Sequence, residues 1–471
     1  MYDFALLASL FLFLGACIAY ARHPAASFVH PATLYLAFHG FVFVFRPLVA
    51  RLYDFDFVYR LYGFEPGKMD RVTVLAGASL AMVTFLAVSL RIADGAPVPV
   101  PAEEPRRLRR VLAGPILAAT ALVAPLGIAA QIANWQRRAY DFDSMITDAA
   151  TGVQANVEGN GWFTDSALML APVAVMLVWL ARYRGWSWAF FALFAVLQAG
   201  TGGRAPIIYA LLALAVLYLV ENRRRWFDWR VAMLAVVGAV SFQTIVLDRG
   251  GMVRELVGGE RGSGYVAGRT LDPLEHMDFA NMEYFEYIVW AVPARTGSWD
   301  YFANNLQIFT EPVPRAIWKD KPYGSPVQHF QLWDYGTPIG MTASIPGMGW
   351  MSFGWLGIIV QAGFFAALYG GLYSRLLVRR GGSLERLAYA LLIGTAIIVF
   401  RDGTLLTFLR LLPFYLGPLV LVWLALRVTR RRTLPLADSS GLAPSAVSLP
   451  GPGDRRRALA SRAQAPAPRR R

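Results

Sequence analysis

The stretch TEPVPRAIWKDKPYG, residues 310–324, gathers the side chains best suited to chemistry in this chain. Pro312, Pro314 and Pro322 fix φ and hold extended or turned backbone, so Arg315 and Lys321 are presented at set positions. Arginine offers a planar fork for phosphate and lysine a compact point charge. Trp318 between them suits the lipid head-group level or the face of a sugar. Together they read as a phosphate and sugar site. A structural turn whose cations pair with Glu311 and Asp320 is the open alternative.

Two further stretches carry cations where apolar chain surrounds them. In QAGTGGRAPIIYALLALAVLYLV, residues 198–220, Arg204 precedes a helix start marked by Pro206, which makes an anion site or a simple leaflet anchor. In VFRDGTLLTFLRLLP, residues 399–413, Arg401 and Asp402 end one apolar run and Arg410 falls inside the next. An intramembrane arginine is costly without a partner or a polar cavity, so Asp402 either neutralises Arg401 or leaves it to a ligand. Arg46 and His39 repeat the pattern more weakly, the histidine reading as a helix-packing hydrogen-bond partner. His276 and His329 could serve as bases, as could Asp272, Glu275 and Asp278, whose plainer reading is a solvated acidic face. No Walker lysine, GxSxG or zinc-ligand spacing is apparent, and the acidic residues of the loop 249–349 form no DxD pair. Anion handling is therefore expected to rest on arginine, without a metal or other cofactor.

These groups need a membrane scaffold to position them. Of 471 residues, 56% are hydrophobic and 16% charged, well below the charge of soluble domains. The net charge of +14 comes almost wholly from arginine, since Lys68, Lys319 and Lys321 are the only lysines. The arginines sit at the ends of apolar runs and in the tail, which argues for membrane topology rather than nucleic acid. A single cysteine, Cys17, excludes an internal disulfide. Apolar runs centre on 4–21, 30–50, 72–90, 111–132, 164–181, 187–201, 205–221, 230–247, 353–374, 387–400 and 404–426. The expectation is an all-α polytopic protein of about eleven spans, the first a retained helix rather than a signal peptide.

Arginines at 106–110, 182–184, 223–225, 379–386 and 427–432 fall on one side if the spans are counted so, which assigns that side to the cytoplasm. The N terminus and the long loop 249–349 then lie outside and the C terminus inside. The organisation expected is spans 1–8 over 1–248, the loop over 249–349, spans 9–11 over 350–432, and a disordered basic tail over 433–471. The loop is too long and too aromatic to be a passive connection. Within it NMEYFEYIVWAV has the spacing of a helix lying on the membrane surface.

The GGR turn opening an apolar span, the loop string PRAIWKDKP and the segment SIPGMGWMSFGWLGII entering the next helix resemble the Wzy-type polymerases of O-antigen and exopolysaccharide repeat units, relatives of the O-antigen ligases. The resemblance covers roughly residues 190–415. It implies a metal-independent glycosyltransferase of the bacterial inner membrane, working on the periplasmic face on undecaprenyl-diphosphate-linked oligosaccharides. It leaves room for a chain-length regulator and a flippase as partners. On that implication Arg204, Arg315 and Arg401 neutralise the diphosphate, with Lys321, Trp318 and Arg410 binding substrate. The base stays open among His276, His329, Asp272 and Glu275. A ligase acting on lipid A–core, and a flippase or other transporter, are the alternatives.

Overall fold

The computed structural model describes residues 1–100, 104–140, 161–200, 205–229, 274–275, 279–310, 313, 318, 332 and 342–433. Every regular element among them is helical. Contacts divide the chain into Met1–Leu426 and Arg427–Arg471. The main helices are α1 (Tyr2–Ala21), α2 (Pro31–Leu52), α3 (Lys68–Ile92), α4 (Glu104–Tyr140), α5 (Gly161–Leu180), α6 (Gly185–Ala199), α7 (Ala205–Glu221), α8 (Asn281–Ala291), α9 (Ser344–Arg380), α10 (Ser383–Asp402) and α11 (Leu405–Thr433), with short unnumbered helices at Phe57–Tyr62 and Ala303–Leu306.

Eight of these, namely α1 to α5 and α9 to α11, are long and apolar enough to cross a membrane. The chain is thus a multi-pass membrane protein. Helices α6 and α7 are apolar but shorter, and the run 230–247 lies outside the described residues, as does the tail beyond 433. In hydrocarbon a helix satisfies its own backbone, so length and apolarity select these elements. Local signals set their ends. His30 Nδ1 accepts from the backbone N–H of Ala32 at 3.2 Å with Pro31 opening α2, and Asp70 accepts from the Gly67 N–H at 2.8 Å to begin α3.

The core is built around α3, which packs along α9 and also against α1, α2 and α8. At the Ile92 end of α3, loops from distant parts of the chain meet. The Phe28 N–H donates to the Arg225 carbonyl at 2.8 Å, the Val98 N–H to Leu377 at 2.9 Å, and the Tyr389 hydroxyl to Val29 at 2.6 Å. Arg109 reaches Glu221 at 2.7 Å, and Trp179 Nε1 donates to the same carboxylate at 2.6 Å. Arg109–Arg110, Arg182–Arg184, Arg223–Arg225 and Arg379–Arg386, on loops or at helix ends, therefore share one end. The Lys68 end of α3, about 37 Å away by helical rise, gathers residues 1–3, 51–71, 275, 279–305, 343–353 and 401–410.

Two helices depart from regular winding where Pro and Gly require it. Pro47 has no N–H for the Phe43 carbonyl, and the preceding turn Gly40–Phe45 widens to a π-helix that delivers Arg46 into the interior. Helix α9 breaks at Phe353 and Gly354, whose φ is +57°. In a continuous helix Gly349 and Gly357 would be about 12 Å apart. Here a Cβ on Gly349 would lie 2.6 Å from Ile358 Cα, and one on Gly357 would overlap the Gly349 carbonyl oxygen. Residues 344–352 thus fold back against the start of the long span as a buried helical hairpin.

The hairpin depends on that backbone contact. Gly357→Ala is expected to destabilise the protein by ~1–3 kcal/mol through overpacking, whereas Gly371→Ala, with nothing within 4 Å of its added Cβ, is tolerated. Thermal unfolding of the two variants in detergent checks this.

Candidate functional site

Helix α8 is the one expected to lie on the membrane surface, and the structure overturns that: every residue of it except Trp290 is buried. It packs on α3, on α9 and on the π segment of α2. The reason is that its two carboxylates, Glu283 and Glu286, one turn apart on the same face, find partners inside the protein. Both oxygens of Glu283 accept from Arg46 Nη1, an ion pair with side chains 1% and 5% exposed. Arg46 Nε donates to the Leu274 carbonyl at 3.0 Å, while its Nη2 has no hydrogen-bond partner among the described residues.

Glu286 Oε2 accepts the Tyr59 hydroxyl at 2.6 Å. Burial pushes this carboxyl up to about 7; the nearby Glu283 charge adds to the rise, while the Tyr59 hydrogen bond and the guanidinium groups of Arg71 and Arg46 hold it down. Burial also raises the Tyr59 phenol well above its ordinary value. Arg71 at the start of α3 lies over the Tyr59 ring, 5.1 Å from its centroid, and 5.9 Å from that of Tyr2. Tyr59 and Arg71 also line an open cleft of about 660 Å³, together with Asp56, Arg60, Gly63, Phe64, Glu65 and Pro66. A buried carboxyl is thus one phenol away from a solvent cleft.

The turn between α10 and α11 forms the second part of the site. Gly403, at φ +73°, closes α10 with its Cα against the Ser344–Ile345 backbone, where no Cβ fits. Amide side chains pin the turn: Asn281 Nδ2 donates to the Arg401 carbonyl at 3.1 Å, Gln361 Nε2 to the Gly403 carbonyl at 2.7 Å, and the Leu405 N–H to Asn305 Oδ1 at 3.0 Å. Arg401 Nε approaches Asp402 Oδ1 at 3.3 Å, and Asp402 Oδ2 accepts from Thr407 at 3.0 Å. Arg410 is paired with Asp165 at 2.6 Å, its side chain more than half exposed. Because Asn281 opens α8, the Arg401 turn and Glu286 hang on one helix, about 7.5 Å apart along its axis by helical rise.

The expected site residues divide accordingly. Arg401 and Arg410 lie at the same end of the bundle as α8, and Trp318 is exposed at 40%. Glu275 Oε1 caps the Asp56 and Phe57 N–H groups at 2.9 and 2.8 Å, so that oxygen is committed to holding a helix start. His39 is fully buried and packs by its ring on Phe13 and Phe43, with neither nitrogen hydrogen-bonded among the described residues, so it is a packing residue and not a hydrogen-bond partner. Arg204, Arg315, Lys321, Asp272, His276, Asp278 and His329 lie outside the described residues, as do Glu311 and Asp320. Sequence reasoning missed Tyr59, Arg71, Glu283 and Glu286; the one available signal was the pair of glutamates in EYFEY within an otherwise apolar run. Compared with known protein families, curated proteins and solved structures, the chain matches none.

Two outcomes follow from these geometries. Arg46→Met strands Glu283 in the interior and is expected to cost ~3–5 kcal/mol, while Arg46→Met with Glu283→Leu recovers most of it; unfolding in detergent reads both. For Glu286 the folded carboxyl keeps its proton up to about 7 and the unfolded chain loses it near 4.5. Its contribution is then fully present below about 4.5, is lost as pH rises to about 7, and is level beyond. Melting temperatures at pH 5 and pH 8 should differ less in Glu286→Gln than in the unaltered protein.

Proposed function

We propose that this protein is a metal-independent glycosyltransferase that polymerises undecaprenyl-diphosphate-linked oligosaccharide repeat units into O-antigen or exopolysaccharide. The observation that carries the reading is the attachment of two chemistries to α8: the Arg401 turn at its first residue, and the Glu286–Tyr59 pair beside a cleft one and a half turns on. Glycosyl transfer from a lipid diphosphate needs such a combination. The acceptor hydroxyl oxygen bonds to C1 of the donor sugar. The bond from C1 to the diphosphate oxygen breaks, and its electron pair leaves with the diphosphate.

In this scheme Arg401 and Arg410 neutralise the leaving diphosphate, as preorganised cations do at a developing charge. The sequence resemblance gives Arg204, Arg315 and Lys321 the same task. The hydroxyl proton passes to the Tyr59 oxygen as the Tyr59 proton moves to the Glu286 carboxylate, and after the product leaves it returns through the Tyr59 hydroxyl to water in the cleft. A carboxyl near 7 is matched to that exchange. The arginine-rich end, at Ile92 of α3, faces the cytoplasm by the positive-inside tendency. The cleft end then faces the periplasm of a bacterial inner membrane.

Reconstitution tests this. Purified protein is given synthetic undecaprenyl-diphosphate repeat units from its host, and products are resolved on a gel. A ladder of lengthening glycans is expected, reduced at least ~100-fold in Arg401→Ala. Transfer seen only when lipid A–core is supplied makes the protein a ligase. No product with either acceptor overturns the reading.

A further inference from the structure

The cleft beside Tyr59 has a charge distribution that selects its ligand. Its lining mixes flat apolar surface from Tyr59, Phe64 and Pro66 with charged groups from Asp56, Arg60, Glu65 and Arg71. Asp56 and Arg60 pair with each other. Among the other carboxylates at this end, Glu283 is held by Arg46, Glu275 by two backbone N–H groups, and Glu286 by the Tyr59 hydroxyl. Glu65 sits exposed at the rim. None of these carboxylates is hydrogen-bonded to Arg71 among the described residues, and the Arg71 Nε is buried without a hydrogen-bond partner. Arg71 is instead held by the Tyr59 and Tyr2 rings, which orient a guanidinium without neutralising it.

We propose that this cleft is a subsite for an acidic sugar, in which the Arg71 guanidinium takes the carboxylate of a uronic acid residue while the ring rests on Tyr59 and Phe64. A planar fork matches a carboxylate in two parallel hydrogen bonds, and an aromatic face beside it packs against the C–H face of a pyranose. Rings already locked together fix the pose: Phe64 meets Tyr59 edge-on at 5.5 Å and Tyr287 at 5.0 Å. The choice of a sugar as the anion's carrier rests on the polymerase reading, and it adds that the acceptor repeat unit carries a uronic acid at or next to its reacting end.

The test is binding, not turnover. Saturation-transfer NMR on the full chain in detergent at pH 6 compares methyl β-glucuronide with methyl β-glucoside, with inorganic phosphate as competitor. The glucuronide is expected to bind at least about tenfold more tightly than the glucoside, with phosphate a weak competitor. Arg71→Gln should bring both sugars to the glucoside level. Arg71→Lys, which keeps the charge and loses the fork, should fall between them, with melting temperature reporting that each variant is folded. Equal binding of the two sugars, an unchanged preference in folded Arg71→Gln, or phosphate displacing the glucuronide at equal concentration overturns the proposal; the last result makes the cleft a phosphate site. A protein that prefers the glucuronide yet elongates nothing keeps the subsite and loses the polymerase reading. One that elongates without the preference does the reverse.

Discussion

The arrangement at the cleft end depends on one buried ion pair. Arg46 and Glu283 are each almost wholly removed from solvent, and neither could be there alone, because an unpaired charge in such surroundings is far costlier than the pair. Their contact ties α2 to a helix 237 residues further along the chain. Once α8 is held inside the bundle, its apolar side chains complete the interior. Phe285 fills the space beside Gly77 on α3, and Ile288 lies against Gly347 in the hairpin of α9. Asn281 at its first turn then reaches the Arg401 carbonyl and sets the α10–α11 turn.

How much of this is legible in the sequence follows from how local each cause is. Span positions are local: a run of apolar residues long enough to cross a membrane must be helical there, and helices occur at ten of the eleven expected runs, the run 230–247 lying outside the described residues. The grouping of four arginine-bearing segments at one end is legible for a similar reason, because short connections reverse direction at each span. Even the break in α9 left a trace, since the expected span begins at 353, where the backbone turns. The helix and fold-back of 344–352 did not, as they depend on the contact of Gly349 with Gly357.

The placement of α8 was illegible because its cause is remote. Glutamates at i and i+3 in an aromatic helix normally mark a wet face, and the period alone assigns such a helix to an interface. What reverses the reading is Arg46, delivered inward by the π turn ahead of Pro47, and Tyr59 on a short helix elsewhere. A lone arginine in an apolar run announces a partner without saying which. Glu275 shows the same limit, since only the fold reveals that its carboxylate closes the start of another helix.

The two ends of the bundle also use charge differently. At the Ile92 end, Glu221 is held by Arg109 and Trp179 together, so its charge is compensated within the protein. At the cleft end most cations are paired as well, and two groups beside the cleft stand apart. Arg71 is framed by two rings with no carboxylate hydrogen-bonded to it among the described residues, and Glu286 has a phenol as its hydrogen-bond partner. Structural economy alone would pair these groups or replace them with apolar ones, since buried polar groups without ideal partners lower stability. Groups kept under-compensated on rigid helices, next to an open cleft, are poised for an outside ligand. The proposed working face at the Lys68 end of α3 rests on these two groups, Arg71 and Glu286, rather than on the overall charge of that end.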